Sequence, residues 1–442
     1  MRGLQGRGHL HDHLFPGQDK VNDTPRFRGW WVLSGLFMVY AASNGIIVHS
    51  LPLMYPYLID EFGWTQVQVT LPATVLLTVS ALTSPPVGVM LDRYSSRILI
   101  TVGAALAVSG LCLHAAVQQL WHMVAAYVTF ALALSLSGVV ANMFVLSRWF
   151  RRLHGRASGI LLMASSVGGT LFPLVLGYGM THLGWRTTLL GLALITAFLM
   201  VLPVVLLVRD RPEDFGTGPD GDPLTTGKDD PSESVARSGP TLREALKSTQ
   251  FYVLAIGTAA VWFTVLSLMQ HQSIYLAGDL GVSRSLLPMI FSSFFAASIV
   301  GKLAFGLMGD WFRKDRVMIG SILLLMVGLG LLRHADSDNT SWLFLYAVIA
   351  GAGFSGAFTS IQVLLAHLFA GPSFGKILAS LVLFDTLAGA LGTRLVGRIR
   401  DEMGSYLPAI DLMMALCALA IICVLMIRFR SVAPPMDRSV TS

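Results

Sequence analysis

Twelve apolar runs, most of them near the roughly 20 residues an α-helix needs to cross a bilayer, take up almost the whole chain. Their approximate bounds are 30–54, 67–91, 97–116, 120–146, 157–180, 185–208, 251–277, 286–309, 317–333, 341–369, 377–397 and 406–427. With 54% of its residues hydrophobic and 13% charged, the sequence reads as an all-α, polytopic membrane protein. The lipid bilayer is its expected surroundings.

Between the runs, Lys and Arg gather on alternate loops. Arg26 and Arg28, Arg93 and Arg97, Arg148 to Arg156, Arg209 to Lys247, Arg313 to Arg316, Lys376, and Arg428 with Arg430 all fall on one side. By the rule that basic loops stay inside, that side is cytoplasmic and both termini lie there, as expected of a multi-pass protein of a bacterial inner membrane. The opposite loops carry Asp60, Glu61, Asp279, Asp336, Asp338, Asp401 and Glu402, with Arg186, Arg284, Arg333 and Arg400 as strays. The net charge of +6 is therefore a topology signal, and no nucleic-acid partner is expected. The first 29 residues hold no apolar core with a cleavage site, so the first run is expected to remain in the protein. All three cysteines, Cys112, Cys417 and Cys423, fall inside apolar runs, which argues against a disulfide framework or a metal cluster.

The polar stretch 209–250, rich in Pro, Gly, Asp and Ser, divides the helices six and six and reads as a cytoplasmic linker. The expected order is a flexible tail 1–29, a six-helix bundle 30–208, the linker, a second bundle 251–428 and a tail 429–442. Two segments echo each other across it. GVMLDRYSSR (Gly88 to Arg97) follows the second run, and GLMGDWFRKDR (Gly306 to Arg316) follows the eighth. A repeat at matching places indicates duplicated, pseudo-symmetric halves, which in transporters enclose a substrate site near the midplane.

The G-x-x-x-D-R pattern at Gly88, Asp92 and Arg93, with its second copy at Gly306 and Asp310, resembles the cytoplasmic signature of the major facilitator superfamily. That resemblance implies a latch built from Gly88, Asp92, Arg93, Arg97, Gly306, Asp310 and Arg313. Each acid would sit at the start of a helix of the other half, Asp92 at the eleventh and Asp310 at the fifth, where the helix dipole favours a carboxylate. Ser95 and Ser96 replace the Gly and basic residue common there. SRWFRRLHGRASG at 147–159, GWR at 184–186, RPEDFGTGPDGD at 211–222, MQHQSIYL of the seventh run and GSY at 404–406 are similar to monocarboxylate carriers and bacterial oxalate/formate-type antiporters.

Against this background, charges inside apolar runs stand out. Lys302 lies about two turns, roughly 10 Å, before the end of the eighth run, and burying its ammonium at a helix centre costs roughly 2.5–3.5 kcal/mol. It is expected to face a water-filled path and meet an anion there, where relatives of this branch more often place an arginine. Lys holds an anion as a point charge without the bidentate fork. Asp385, near mid-depth in the eleventh run, costs as much to bury and argues against a dianion, because oxalate-type carriers have a cation near there. His49 matches a lysine of animal monocarboxylate carriers and is either a titrating pathway group or a packing histidine. His271 holds the corresponding place in the other half. Arg394 stands either at the outer mouth or with its head drawn out toward the interface. Asn44, Asn142 and Gln362 are read as helix-joining amides, and Pro85, Pro86 and Pro173 as breaks in the second and fifth helices.

Gly351-Ala-Gly353-Phe-Ser-Gly356 matches G-x-G-x-x-G, but inside a membrane helix small-residue packing is the expected reading, not a dinucleotide site. His9, His11 and His13 read as part of a flexible tail. Absence of H-E-x-x-H and G-x-S-x-G leaves catalysis unsupported, and neither metal nor cofactor is expected. The resulting expectation is a secondary transporter of a small organic monoanion, a monocarboxylate, taken with a proton or a counter-anion. With an anion on Lys302, an ionised Asp385 loses its support and takes a proton, so both cross together. Proton-driven efflux of an amphipathic drug or metabolite is the alternative, suited by Trp262, Phe263, Phe291, Phe294 and Phe295.

Overall fold

The computed structural model describes residues 27–222 and 240–427, apart from 337, 338, 370 and 372. Of the features singled out above, His9, His11, His13, Arg26, Asp338, Arg428, Arg430 and the side chain of Asp310 lie outside the described residues. Twelve helices are long and apolar enough to span a membrane. They are α1 (Gly29–Phe62), α2 (Gln66–Arg93), α3 (Ser96–Ala115), α4 (Leu120–Trp149), α5 (His154–Leu183), α6 (Trp185–Leu206) and α7 (Thr249–Asp279). There follow α8 (Leu287–Trp311), α9 (Lys314–Arg333), α10 (Thr340–Phe369), α11 (Phe374–Met403) and α12 (Leu407–Met426). The face where α2 meets α3 and α8 meets α9 is called the basic face below.

Within the first half α3 and α4, α2 and α4, α1 and α5, and α3 and α6 pack together; α8 and α9 on α10, and α11 and α12 on α7, do the same in the second. The halves meet along two seams, α2 with α11 and α5 with α8. Lipid is as apolar as these side chains, so close backbone approach supplies much of the attraction. Gly168 of α5 lies where a Cβ would stand 2.1 Å from the Ala41 carbonyl of α1. The G-x-G-x-x-G segment works likewise: a Cβ on Gly351 would meet the Phe294 carbonyl of α8 at 2.0 Å, and one on Gly353 the Leu325 nitrogen of α9 at 2.3 Å.

The helix breaks are not where the prolines suggest. Pro85 and Pro86 sit inside an unbroken α2, and Pro173 inside an unbroken α5. In a membrane, neighbouring helices stabilise a helix that lacks a hydrogen bond, so proline need not end it. The interruptions fall instead in α1 and α4, with further π-helical stretches at Ala197–Val201 of α6 and Tyr275–Asp279 of α7. α1 widens to a π-helix over Asn44–Ser50 and tightens over Leu51–Met54, where Pro52 follows, and it runs on to Phe62 rather than stopping near 54. α4 is interrupted at Gly138, where a Cβ would lie 2.2 Å from the Leu134 carbonyl. Asn142 mends that break by donating to the Ser137 and Gly138 carbonyls of its own helix, each at 2.7 Å, rather than to a neighbouring helix.

The described part of the stretch after α6 is folded against the basic face. Asp210 accepts from the Ser95 hydroxyl at 2.5 Å and from the Arg97 backbone N–H at 3.0 Å, capping α3. Asp220 accepts from the backbone N–H groups of Arg151 (3.0 Å), Arg152 (2.6 Å) and Leu153 (3.4 Å), just ahead of α5. Where description resumes, Thr241 and Glu244 cap the short helix Leu242–Lys247 reciprocally. The Thr241 backbone N–H donating to Glu244 holds that exposed carboxyl below its ordinary value.

Candidate functional site

A cavity of about 340 Å³ lies between the halves. Helices of both halves line it from their middles toward the basic face: Asn44 and His49 on α1, Ser80 and Ser84 on α2, and Lys302 and Asp385 on α8 and α11. Most of its wall is apolar, with Leu76, Leu266, Met269, Trp262, Phe354 and Phe358 prominent.

Lys302 is reached by the regular α8 helix, and its Nζ donates to the Leu162 carbonyl of α5 at 2.8 Å, bridging the halves. The same ammonium stands 5.3 Å from the centre of the Phe358 ring. Asp385 is 4% exposed, beside the Thr258 hydroxyl of α7, and its Oδ1 has no hydrogen-bond partner. Lys302 and Asp385 share the cavity without forming an ion pair. The π-helical turn of α1 carries His49 inward: Nε2 is 2.9 Å from the Ser165 hydroxyl, the ring centre is 4.1 Å from that of Phe295, and Nδ1 is buried without a partner. π-turns of this kind recur at functional sites because they aim a side chain off the regular helical track.

Two predicted site residues lie elsewhere. His271 is buried outside the cavity, with Nε2 2.7 Å from the Thr393 carbonyl and Nδ1 2.9 Å from the Tyr406 hydroxyl. A carbonyl can only accept, so Nε2 donates and Nδ1 accepts from the tyrosine; both nitrogens are committed to joining α7, α11 and α12. Arg394 is exposed on the outer surface of α11 and does not line the cavity. Conversely Asn44 and Gln362, read as packing amides, face the cavity.

Opposite the basic face the halves are shut. Asp401, at the end of α11, accepts from the first backbone N–H groups of α2, Gln66 at 3.1 Å and Val67 at 3.0 Å. The Tyr55 hydroxyl donates to Gln270 at 2.7 Å and the Ser273 hydroxyl to the Pro52 carbonyl at 2.5 Å, tying α1 to α7. Arg284 pairs with Asp60 across the same gap. A Cβ on Gly177 of α5 would lie 2.1 Å from Pro288 of α8, so backbone meets ring there directly. The stray arginines of this face all have acids: besides Arg284, Arg186 pairs with Glu61, Arg333 with Asp411 and Arg400 with Asp279.

On the basic face the described residues of the expected latch do not make its contacts. Asp92 is exposed and makes no hydrogen bond or ion pair among the described residues, and Arg97 donates to the Val205 carbonyl of α6 at 2.6 Å, inside its own half. Arg313 pairs with Asp315 at 2.9 Å, two residues along. Gly88 and Gly306 have open space where a Cβ would stand. Sequence reading missed Asp401, Tyr55 and Gln270. The eleventh apolar run ends at 397, which leaves Asp401 among the loop acids, whereas the helix continues to Met403; nothing local marked the others.

The model for the Major Facilitator Superfamily matches residues 32–275 and 254–440. Monocarboxylate transporter 13 of Bos taurus is 24% identical over 386 residues, covering 86% of this chain and 84% of that protein. MFS transporter asaE of Aspergillus flavus is 22% identical over 414 residues, covering 91% of this chain and 88% of the relative. Among solved structures, a bacterial homolog to the human lysosomal transporter Spinster, in an inward-facing and unoccupied conformation, superposes with a TM-score of 0.64 at 15% identity, covering 92% of this chain and 96% of that one. Twelve spanning helices in two like halves, a cavity on the seam between them and a family match along most of the chain converge on one conclusion: the protein belongs to the major facilitator superfamily of membrane transporters.

Proposed function

We propose that the chain is a secondary active transporter of a small organic monoanion, a monocarboxylate, carried by alternating access with a proton or in exchange for another anion. One observation carries the reading: Lys302, in the cavity wall between the halves, is held by a neutral carbonyl at 2.8 Å and pairs with no carboxylate among the described residues. An ammonium removed from water with only a neutral acceptor gains a stronger, charge-assisted bond when an anion arrives. His49, its Nδ1 buried without a hydrogen-bond partner, lines the same cavity beside Ser165 of α5 and Phe295 of α8 and is assigned as a second contact for the head group.

Asp385 takes the proton in this reading. Once an anion neutralises Lys302, an ionised Asp385 is the uncompensated charge of the cavity, and protonation lets the loaded carrier close with no net charge. The basic face is assigned to the cytoplasm of a bacterial inner membrane, with both termini on that side, because basic loops are retained inside. The cavity then opens inward. Asp92 with Gly88, Arg93 and Arg97, and Gly306 with Asp310 and Arg313, are assigned to the latch of the outward-open state.

The test is counterflow of monocarboxylates in vesicles. Lys302→Gln removes a charge-assisted contact of about 1.5–3 kcal/mol and is expected to lower counterflow roughly 10- to 100-fold. Asp385→Asn is expected to keep counterflow and lose pH-driven accumulation; accumulation intact in that variant would end the coupling role. The apolar wall also suits an amphipathic drug or metabolite exported against protons. Carboxylate counterflow unchanged by Lys302→Gln would transfer support to that second reading.

A further inference from the structure

The size and texture of the cavity restrict the acid further. A volume of about 340 Å³ lies within the roughly 300–1,000 Å³ range of small-molecule pockets. Leu76, Leu266, Met269 and the aromatic residues make up most of the wall, so a ligand whose atoms beyond the head group are apolar has surface to bury there.

Beside Lys302 the wall is aromatic. Phe358 lies 5.3 Å under the ammonium, Trp262 meets Phe358 edge to face at 5.9 Å, and Phe354 stands 6.5 Å further along α10. These rings come from α7 and α10 of the second half. A carboxylate bound at Lys302 therefore has its adjoining carbons delivered onto an aromatic surface. Ring against ring in offset or edge-to-face arrangement adds about 0.5–1.5 kcal/mol beyond area burial.

We propose that the transported acid is an aromatic monocarboxylate, its carboxylate on Lys302 and its ring between Trp262, Phe354 and Phe358, and that Trp262 and Phe358 set the preference for it over short acids. The inference rests on the anion-transport reading above and narrows it. Phe358 serves both ends of the ligand, since it also faces the ammonium. Trp262 touches only the ring end and is the cleaner determinant of size.

The experiment uses the full-length protein purified and reconstituted in vesicles, with phenylacetate, lactate and phenylethylamine as probes in counterflow and in thermal unfolding. Phenylacetate is expected to half-saturate at a concentration at least about tenfold below lactate, the scale on which apolar pockets discriminate by size. Trp262→Leu is expected to reduce that ratio to about threefold or less by weakening phenylacetate more than lactate, and Phe358→Leu to weaken both acids. Each variant must elute as the parent does and keep its unliganded unfolding midpoint, so that selectivity is read on folded protein. Equal half-saturation of the two acids, or a ratio unmoved by Trp262→Leu in folded protein, overturns the proposal and leaves anion transport standing. Exchange of phenylethylamine with neither acid exchanged, or no exchange of any probe, overturns both readings.

Discussion

The two ends of the α2 and α11 pair differ in one respect: which acid has found a helix start. Where α11 ends, Asp401 accepts from the first two N–H groups of α2; where α2 ends, Asp92 has no partner among the described residues and α11 begins without it. The N-terminus of a helix presents unpaired N–H groups and a partial positive charge, so either acid could close its own end. Only Asp401 does so in this structure, where the cavity lining runs from the helix middles toward the basic face and the opposite face is shut. In the transport cycle proposed above, a seam with an acid at each end works as a rocker of which this structure is one position.

That comparison can be broken by loosening the closed end. The largest effect is expected of Gly177→Ala. A methyl group there would stand 2.1 Å from Pro288 Cγ, a distance no packing tolerates, so α5 and α8 must part. With Thr70, fully buried at the closed end, replaced by Cys in a background lacking Cys112, Cys417 and Cys423, maleimide labelling is expected to rise more than tenfold. Unchanged labelling would show that the closed face yields elsewhere. Asp401→Asn is the intermediate case: it removes a charge from a helix start at a cost of about 1 kcal/mol, or roughly fivefold in labelling, and high salt should shrink the difference between parent and variant.

Asp92→Asn sharpens the comparison from the other side and has the smallest effect in this state. Asp92 makes no hydrogen bond or ion pair among the described residues, so the unfolding midpoint should stay within measurement error. Counterflow should nevertheless fall, because the outward-open state loses its latch and each cycle passes through it. If labelling at position 70 rises in this variant, as it does for Asp401→Asn, the two acids do not oppose each other and the rocker description fails.

Much of this was legible because membrane insertion imposes a coarse rule on sequence. A run of some 20 apolar residues has few alternatives to a helix, and basic loops mark its sides. Lys302, Asp385 and His49 could be picked out by their cost, since a charge or imidazole amid hydrocarbon demands a partner or a path. His271 and Arg394 were singled out by the same test and fell away for different reasons. His271 satisfies both nitrogens on Thr393 and Tyr406. Arg394 follows Thr393 by one residue, which on an α-helix is about 100° of rotation; Thr393 is buried and Arg394 turned outward. Depth was readable along the run, whereas azimuth was decided by which face of α11 packs on α7 and α2.

What the residues by themselves determined is the number of spans, their division into six and six around the polar stretch, and the few positions where polarity is costly. Those follow from transfer free energies, which depend on local composition. Which of the costly positions face a common hollow, where α1 and α4 are interrupted, and which end of the seam is shut were decided only by tertiary packing. Each of those depends on contacts between helices far apart in the chain, such as Lys302 with Leu162 and Asp401 with Gln66, and no stretch of sequence carries them alone.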